Sequence, residues 1–293
     1  MTILVGYSPQ ESGQSALELG AVLARSLDEP LLVATVAALP VPLIESDVDT
    51  EYARLIRQWA ARSLDHARPL VPADLDVRFE VVEGSSIAAG LTAAAEEYDA
   101  SVIVLGSSPK GLIGRITLGS VIESLAHGSH RPLALAPRGY VAASDDRIER
   151  LTVLFSDADS IASMLEPAHT YAARMDVPVR FTSFIVRPFK REFGFIEPEA
   201  DDLVVDAWAA RMRSELSALV QETVGVDGLA DRLVIGDGLT FSEAAGTVHW
   251  RDSDLVLVGP ASRAPLARVF LGSRASKIVR AVPVPVVLLP NED

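Results

Sequence analysis

Apolar residues fall along this chain in short unbroken blocks, separated by longer stretches in which they recur every three or four positions. ILVGY (3–7), LLVATVAA (31–38) and SVIVLG (101–106) are blocks of the first kind. Continuous apolar character over so few residues suits strands covered on both faces, as in parallel sheets. The Ala- and Leu-rich stretch after Tyr7 and the amphipathic one from about Thr50 to Arg68 predict helices. VRFEVVEG (77–84) supplies a third strand and PLALAP (132–137) a last one, each joined to SVIVLG through a further helical stretch. Strands alternating with helices at this spacing predict βαβ units and an α/β fold with a parallel sheet.

The series then occurs a second time. LTVLF (151–155), VRFTSFIV (179–186), a long helical stretch from about Asp201 to Glu222, DRLVIGDG (231–238), DLVLVG (254–259) and PVVLLP (285–290) keep the same order. Tyr98–Pro137 overlies Arg251–Pro290 without a gap: one interval separates Gly106 from Gly259, Arg115 from Arg268, Gly119 from Gly272, Ser120 from Ser273 and Pro137 from Pro290. A register kept over so many positions predicts a tandem duplication. The polar, weakly patterned segment between the copies sets the expected domains at 1–138 and 150–293, with 139–149 as linker.

Composition narrows the class of function. The 293 residues carry a net charge of −14 and no cysteine, which excludes disulfides, thiolate metal sites and cysteine nucleophiles. Such acidity argues against nucleic acid as a partner, because a phosphate backbone requires a basic surface. The longest apolar run, Leu31 to Ile44, carries Pro40 and Pro42 and falls short of the roughly 20 residues of a membrane helix. The opening MTILVGYSPQ has no basic segment and too short an apolar core for a signal peptide, so a cytoplasmic protein without a membrane partner is expected.

The candidate chemistry lies in LGSSPKGLIGRITLGSV, which places glycines at 106, 111, 114 and 119 with Lys110 and Arg115 between a strand and a helix. A loop leaving the C-terminal end of a central strand faces the crevice where open α/β sheets bind ligands. A helix beginning at Gly119-Ser120 would offer unpaired amides to an anion, with Ser120 as hydroxyl donor and N-cap. Lys110 and Arg115 would supply the cations that an acidic protein needs locally. A plain turn and cap is the alternative reading of the same residues.

Gly106, two residues, a fourth position, nine residues and then Gly119-Ser120 resembles the G-x2-G-x9-G-[S/T] signature of universal stress proteins, and ILVGYSPQESGQSAL and VVEGSSIAAGL are similar to that family as well. The resemblance covers both halves and implies two tandem doubly wound domains, each a five-stranded parallel sheet with helices on both faces. It implies adenine near the ends of the first two strands and phosphates in the glycine loop. Carried onto this chain, the implied nucleotide contacts are Ser8, Val36, Gly106, Ser108, Lys110, Gly111, Gly114, Arg115, Gly119 and Ser120. The second copy offers Asp157, Gly259, Arg263, Gly272 and Ser273. ATP or a related nucleotide is the implied ligand, with Mg2+ only alongside it.

Each copy departs from the pattern. Pro109, which lacks an N–H, replaces the signature's second glycine, and Ser8 stands where the family has an aspartate. Ser262 and Pro265 interrupt the second loop, while Asp157, or Ser156 after a one-residue shift, falls at the aspartate position there. The better loop lies in the first copy, so nucleotide binding is expected mainly there. A nucleotide-independent protein acting on protein partners is the alternative.

No reaction centre is expected. HGSH (127–130) closes a helix and has no third ligand nearby for a metal, and the acidic EPEADD (197–202) suits the first turn of a helix. The aromatic and basic segment Phe189–Phe195 is expected to fold onto its domain, with docking of a partner as the alternative. The family's last strands pair across a two-fold axis. In a tandem chain this implies an internal pairing of the two domains through PLALAP and PVVLLP, a pseudo-two-fold axis between them, and a homodimer as a further option.

Overall fold

A computed structural model of the chain describes residues 1–39, 47–143, 145–155, 158–186, 198–223, 232–259 and 273–290. The chain divides into two compact units, the first built on Met1–Arg147 and the second beginning at Ile148.

The first unit follows the order β1 (Thr2–Gly6), α1 (Glu11–Leu27), β2 (Leu31–Ala38), α2 (Asp47–Ala67), β3 (Val77–Gly84), α3 (Ile87–Glu97), β4 (Ala100–Gly106), α4 (Ser120–Gly128) and β5 (Leu133–Ala136). A short 3-10 turn at Arg68–Leu70 extends α2. Its strands lie in the order β3-β2-β1-β4-β5 and every pair is parallel, with Val5 opposite Val33 on one side and Val104 on the other. Ile3, Leu4, Val5, Val33 and Val104 are fully buried, as the unbroken apolar blocks require of strands covered on both faces. The order reverses direction between β1 and β4. Their C-terminal ends, with the loops into α1 and α4, therefore bound the crevice of the sheet.

The second unit repeats this plan with β6 (Arg150–Leu154), α5 (Ala158–Met175), β7 (Val179–Val186), α6 (Pro198–Thr223), β8 (Leu233–Gly238), α7 (Phe241–Gly246), β9 (Asp254–Val258), α8 (Ser273–Ala281) and β10 (Val286–Leu288). The strand order is β8-β7-β6-β9-β10, with β6 parallel to both β7 and β9 and β7 parallel to β8. Two details mark the duplication at the level of the backbone. Helices α1 and α5 both stop on an aspartate in the left-handed region, Asp28 at φ 54° and Asp176 at φ 55°. In each the next amide donates to the carbonyl of the helix's last turn, Glu29 to Ala24 and Val177 to Ala172, both at 3.0 Å.

The copies differ in their polar interior. Asp254 is fully buried at the start of β9, where Arg150 binds it at 2.7 Å and Arg180 at 3.4 Å. The Arg180 guanidinium lies over the Trp250 ring, 5.0 Å from its centroid. Burial, with repulsion from Arg150, pushes Arg180 down to about 10 against the pull of Asp254. Ser101 occupies the corresponding place in the first unit, where its hydroxyl bonds to Glu29 and to the Thr2 carbonyl. Among the described residues no helix is long and apolar enough to cross a membrane.

Candidate functional site

The crevice of the first unit is built by close backbone approaches. A Cβ on Gly13, in the first turn of α1, would lie 1.9 Å from the Ser8 carbonyl oxygen, and one on Gly106 would lie 1.8 Å from that of Ser12. Gly106 thus lets the end of β4 touch the start of α1. The β1–α1 turn is fixed by the Tyr7 amide donating to Ala34 at 2.8 Å and by the buried Thr35 hydroxyl donating to the Tyr7 carbonyl at 3.2 Å. Burial pushes the Tyr7 hydroxyl above the ordinary tyrosine value.

The β4–α4 loop folds on itself. The Ser107 amide donates to Ala136 and the Ser108 amide to Thr117, each at 3.0 Å, while the Thr117 amide donates to the Ser107 hydroxyl at 2.7 Å. Gly111 packs against Thr117, whose hydroxyl would sit 2.1 Å from an added Cβ, and Gly114 adopts φ +73°. These glycines serve the loop's own fold. Gly119, in extended backbone, is the N-cap of α4, and Ser120 is the first helical residue rather than the cap. No side chain caps the helix, so the amides of its first turn lack both a helical and a side-chain partner.

These pieces enclose a cavity of about 260 Å³. Of the sequence-predicted residues, Ser8, Val36, Gly106, Ser108, Gly119 and Ser120 line it. Lys110, Gly111, Gly114 and Arg115 do not: Lys110 is exposed and the Arg115 backbone is bonded within the loop and to Arg138. Side chains not read as functional in the sequence complete the wall, chiefly Tyr7, Thr35, Trp59, Ile87 and Leu91. Trp59 comes from α2 and Ile87 from the start of α3, each 45% exposed. An amphipathic pattern with an aromatic on the wet side is the one signal by which Trp59 could have been found. Among the described residues the lining holds neither a carboxylate nor a basic side chain. What it offers is an apolar slot, several hydroxyls and the opening turn of a helix.

In the second unit Gly259 follows β9, where an added Cβ would lie 2.3 Å from the Met164 sulfur. Ser273 opens α8. Asp157, Arg263 and Gly272 lie outside the described residues, as do the Ser273 side chain and the Phe189–Phe195 segment.

A parallel α/β unit present twice in one chain, the first copy with a crevice of this kind, defines a duplicated doubly wound protein. The universal stress protein family model matches residues 1–137 and 193–290. A universal stress protein of Mycobacterium tuberculosis is 35% identical over 299 residues, covering 99% of this chain and 100% of that protein. A universal stress protein of Mycolicibacterium smegmatis is 30% identical over 141 residues, 47% of this chain and 99% of its own length. The solved structure of a universal stress protein from Archaeoglobus fulgidus matches with a TM-score of 0.61 at 18% identity, over 98% of this chain and 97% of that one, which supports the fold. The chain belongs to the universal stress protein family.

Proposed function

We propose that this protein is a regulatory stress-response protein that holds an adenine nucleotide in the crevice of its first unit and catalyses no reaction on it. The observation that carries this reading is the cavity itself: a neutral, largely apolar slot closed on one side by the uncapped first turn of α4. A purine suits the slot between Val36, Trp59, Ile87 and Leu91, and a phosphate suits the amides and dipole at Ser120. With Ser8 in the family's aspartate position, a hydroxyl takes the place of a charge beside the base.

Charge decides which nucleotide fits. Among the described residues only the helix dipole, amides and neutral hydroxyls would face the phosphates, within a chain of net charge −14. A monophosphate therefore suits the crevice better than ATP. Mg2+ would come only with a polyphosphate, since among the described residues no carboxylate lines the cavity to hold it. Occupancy acts on the β4–α4 loop, whose Leu112 and Ile113 are 77% and 75% exposed and present an apolar surface to a protein partner. The second reading, a nucleotide-independent interaction protein, draws on Pro109, which lines the cavity without an amide to give.

The test is mass spectrometry of denatured purified protein followed by calorimetric titration with AMP and ATP. Co-purified nucleotide, or AMP bound more tightly than ATP, supports the proposal. Absence of both, with no thermal shift, supports the second reading.

A further inference from the structure

We propose that Arg138 is the positioning residue of the β4–α4 loop, with Glu11 as its anchor. Arg138 grips the loop at three points. Its Nη1 donates to the Gly111 carbonyl at 2.7 Å, its backbone amide donates to Arg115 at 3.0 Å, and its carbonyl accepts from the Gly114 amide at 2.8 Å. The other edge of the guanidinium is held by the Glu11 carboxylate, with Nε and Nη2 donating at 3.1 to 3.3 Å. Glu11 stands in the first turn of α1, where the helix dipole favours a carboxylate. A glycine-bearing loop of this length has many conformations to lose, and three ties from one residue select one of them.

The grip continues into the segment that follows. Gly139 turns at φ +72°, and a Cβ there would lie 3.5 Å from Ile113 and 3.8 Å from the Glu11 carboxylate. The Ala142 backbone then lies against the Glu18 carboxyl, and Arg147 donates to the Arg25 carbonyl. Glu11, Glu18 and Arg25 recur at the spacing that keeps them on one stripe of α1. The chain leaving β5 is thus fastened along α1, and its first fastening is also the clamp on the loop. Loop shape and the seat of this segment form one mechanical piece. That the loop is positioned for a nucleotide rests on the proposed function; the clamp itself does not.

Limited trypsin digestion of the full-length protein reads the clamp directly, because Lys110 and Arg115 are cleavage sites within the loop. Arg138→Ala is expected to speed cleavage after both by about tenfold, the scale set by losing a hydrogen bond from a charged donor. Arg138→Lys, which can reach one acceptor but not fork between two, should fall between, and Glu11→Gln should give a smaller increase. Cleavage after Arg62, on the exposed face of α2, and the urea midpoint of Arg138→Lys and Glu11→Gln should stay close to wild type. Loop cleavage unchanged in Arg138→Lys and Glu11→Gln overturns the proposal, and so does an increase matched at Arg62. Should Arg138→Ala not fold, those two variants decide. Titration with AMP separates the two readings: a wild type that does not bind AMP removes the nucleotide, while the protease result still judges the clamp.

Discussion

Two glycines of the same signature have opposite structural duties. A side chain at Gly106 would drive into the Ser12 carbonyl, so Gly106→Ala is expected to cost about 1–3 kcal/mol of stability, read as a lower urea midpoint. A Cβ at Gly119 meets only ordinary contact with Ser108 at 3.6 Å, and the backbone there is extended. Gly119→Ala should therefore fold as wild type while weakening ligand binding, because the added methyl crowds the opening turn of α4. Trp59→Ala should cost about tenfold or more in affinity for AMP, from stacking of ~1–3 kcal/mol, with Trp59→Phe largely retaining it. Glu18 adds a pH dependence. Burial raises its carboxyl above the ordinary 4.5, against the Ala142 hydrogen bond and the charge of Arg25. The folded state then binds more protons than the unfolded one, so stability falls as pH rises from 4.5 through the raised value. Glu18→Gln should remove that slope in thermal melts and leave the protein at least as stable at pH 7. Of these residues, the glycines were legible in the sequence as a spacing. Their separate duties were not, since each depends on which carbonyl or side chain another element brings against it.

Strands and helices were legible because each carries its own period. The apolar blocks became β1, β2, β4, β6, β7 and β9, and the amphipathic stretches became α2 and α6, which begin at Asp47 and Pro198, a few residues before the pattern alone placed them. The cap of α4 was misplaced by one residue: Gly and Ser both serve at N-caps, and only the backbone decides between them. Long-range ties left no periodic trace. Arg25, on α1, forks to Asp74 at 2.8 and 3.1 Å, across nearly fifty positions of chain. The hydrogen bond to Arg25 holds the Asp74 carboxyl below the ordinary aspartate value. An acid whose pKa is lowered by folding contributes stability above its unfolded value of 3.8, and that contribution is lost as pH falls through the lowered value. Asp74→Asn should accordingly lower the melting temperature at pH 7, with the gap to wild type closing in acid.

At the scale of the molecule the duplication was the strongest signal in the chain, since a shared register over forty or so positions survives changes that erase individual residues. The copies have diverged inside. The first keeps a glycine loop and a slot walled by Trp59, while the second buries Arg180 and Asp254 in its core, with the half-buried Arg150 bound to Asp254. Sequence proximity placed Lys110 and Arg115 near the ligand; neither is among the described residues that line the cavity, and the Arg115 backbone is bonded within the loop and to Arg138. A chain of two unequal copies should bind unequally.

Calorimetric titration of the intact chain with AMP, beside Gly119→Ala and Trp59→Ala, tests this most directly. The account predicts one nucleotide per chain, with affinity reduced by both substitutions while each variant keeps the wild-type urea midpoint. Two equal sites, no heat of binding, or an affinity that neither substitution changes would contradict it.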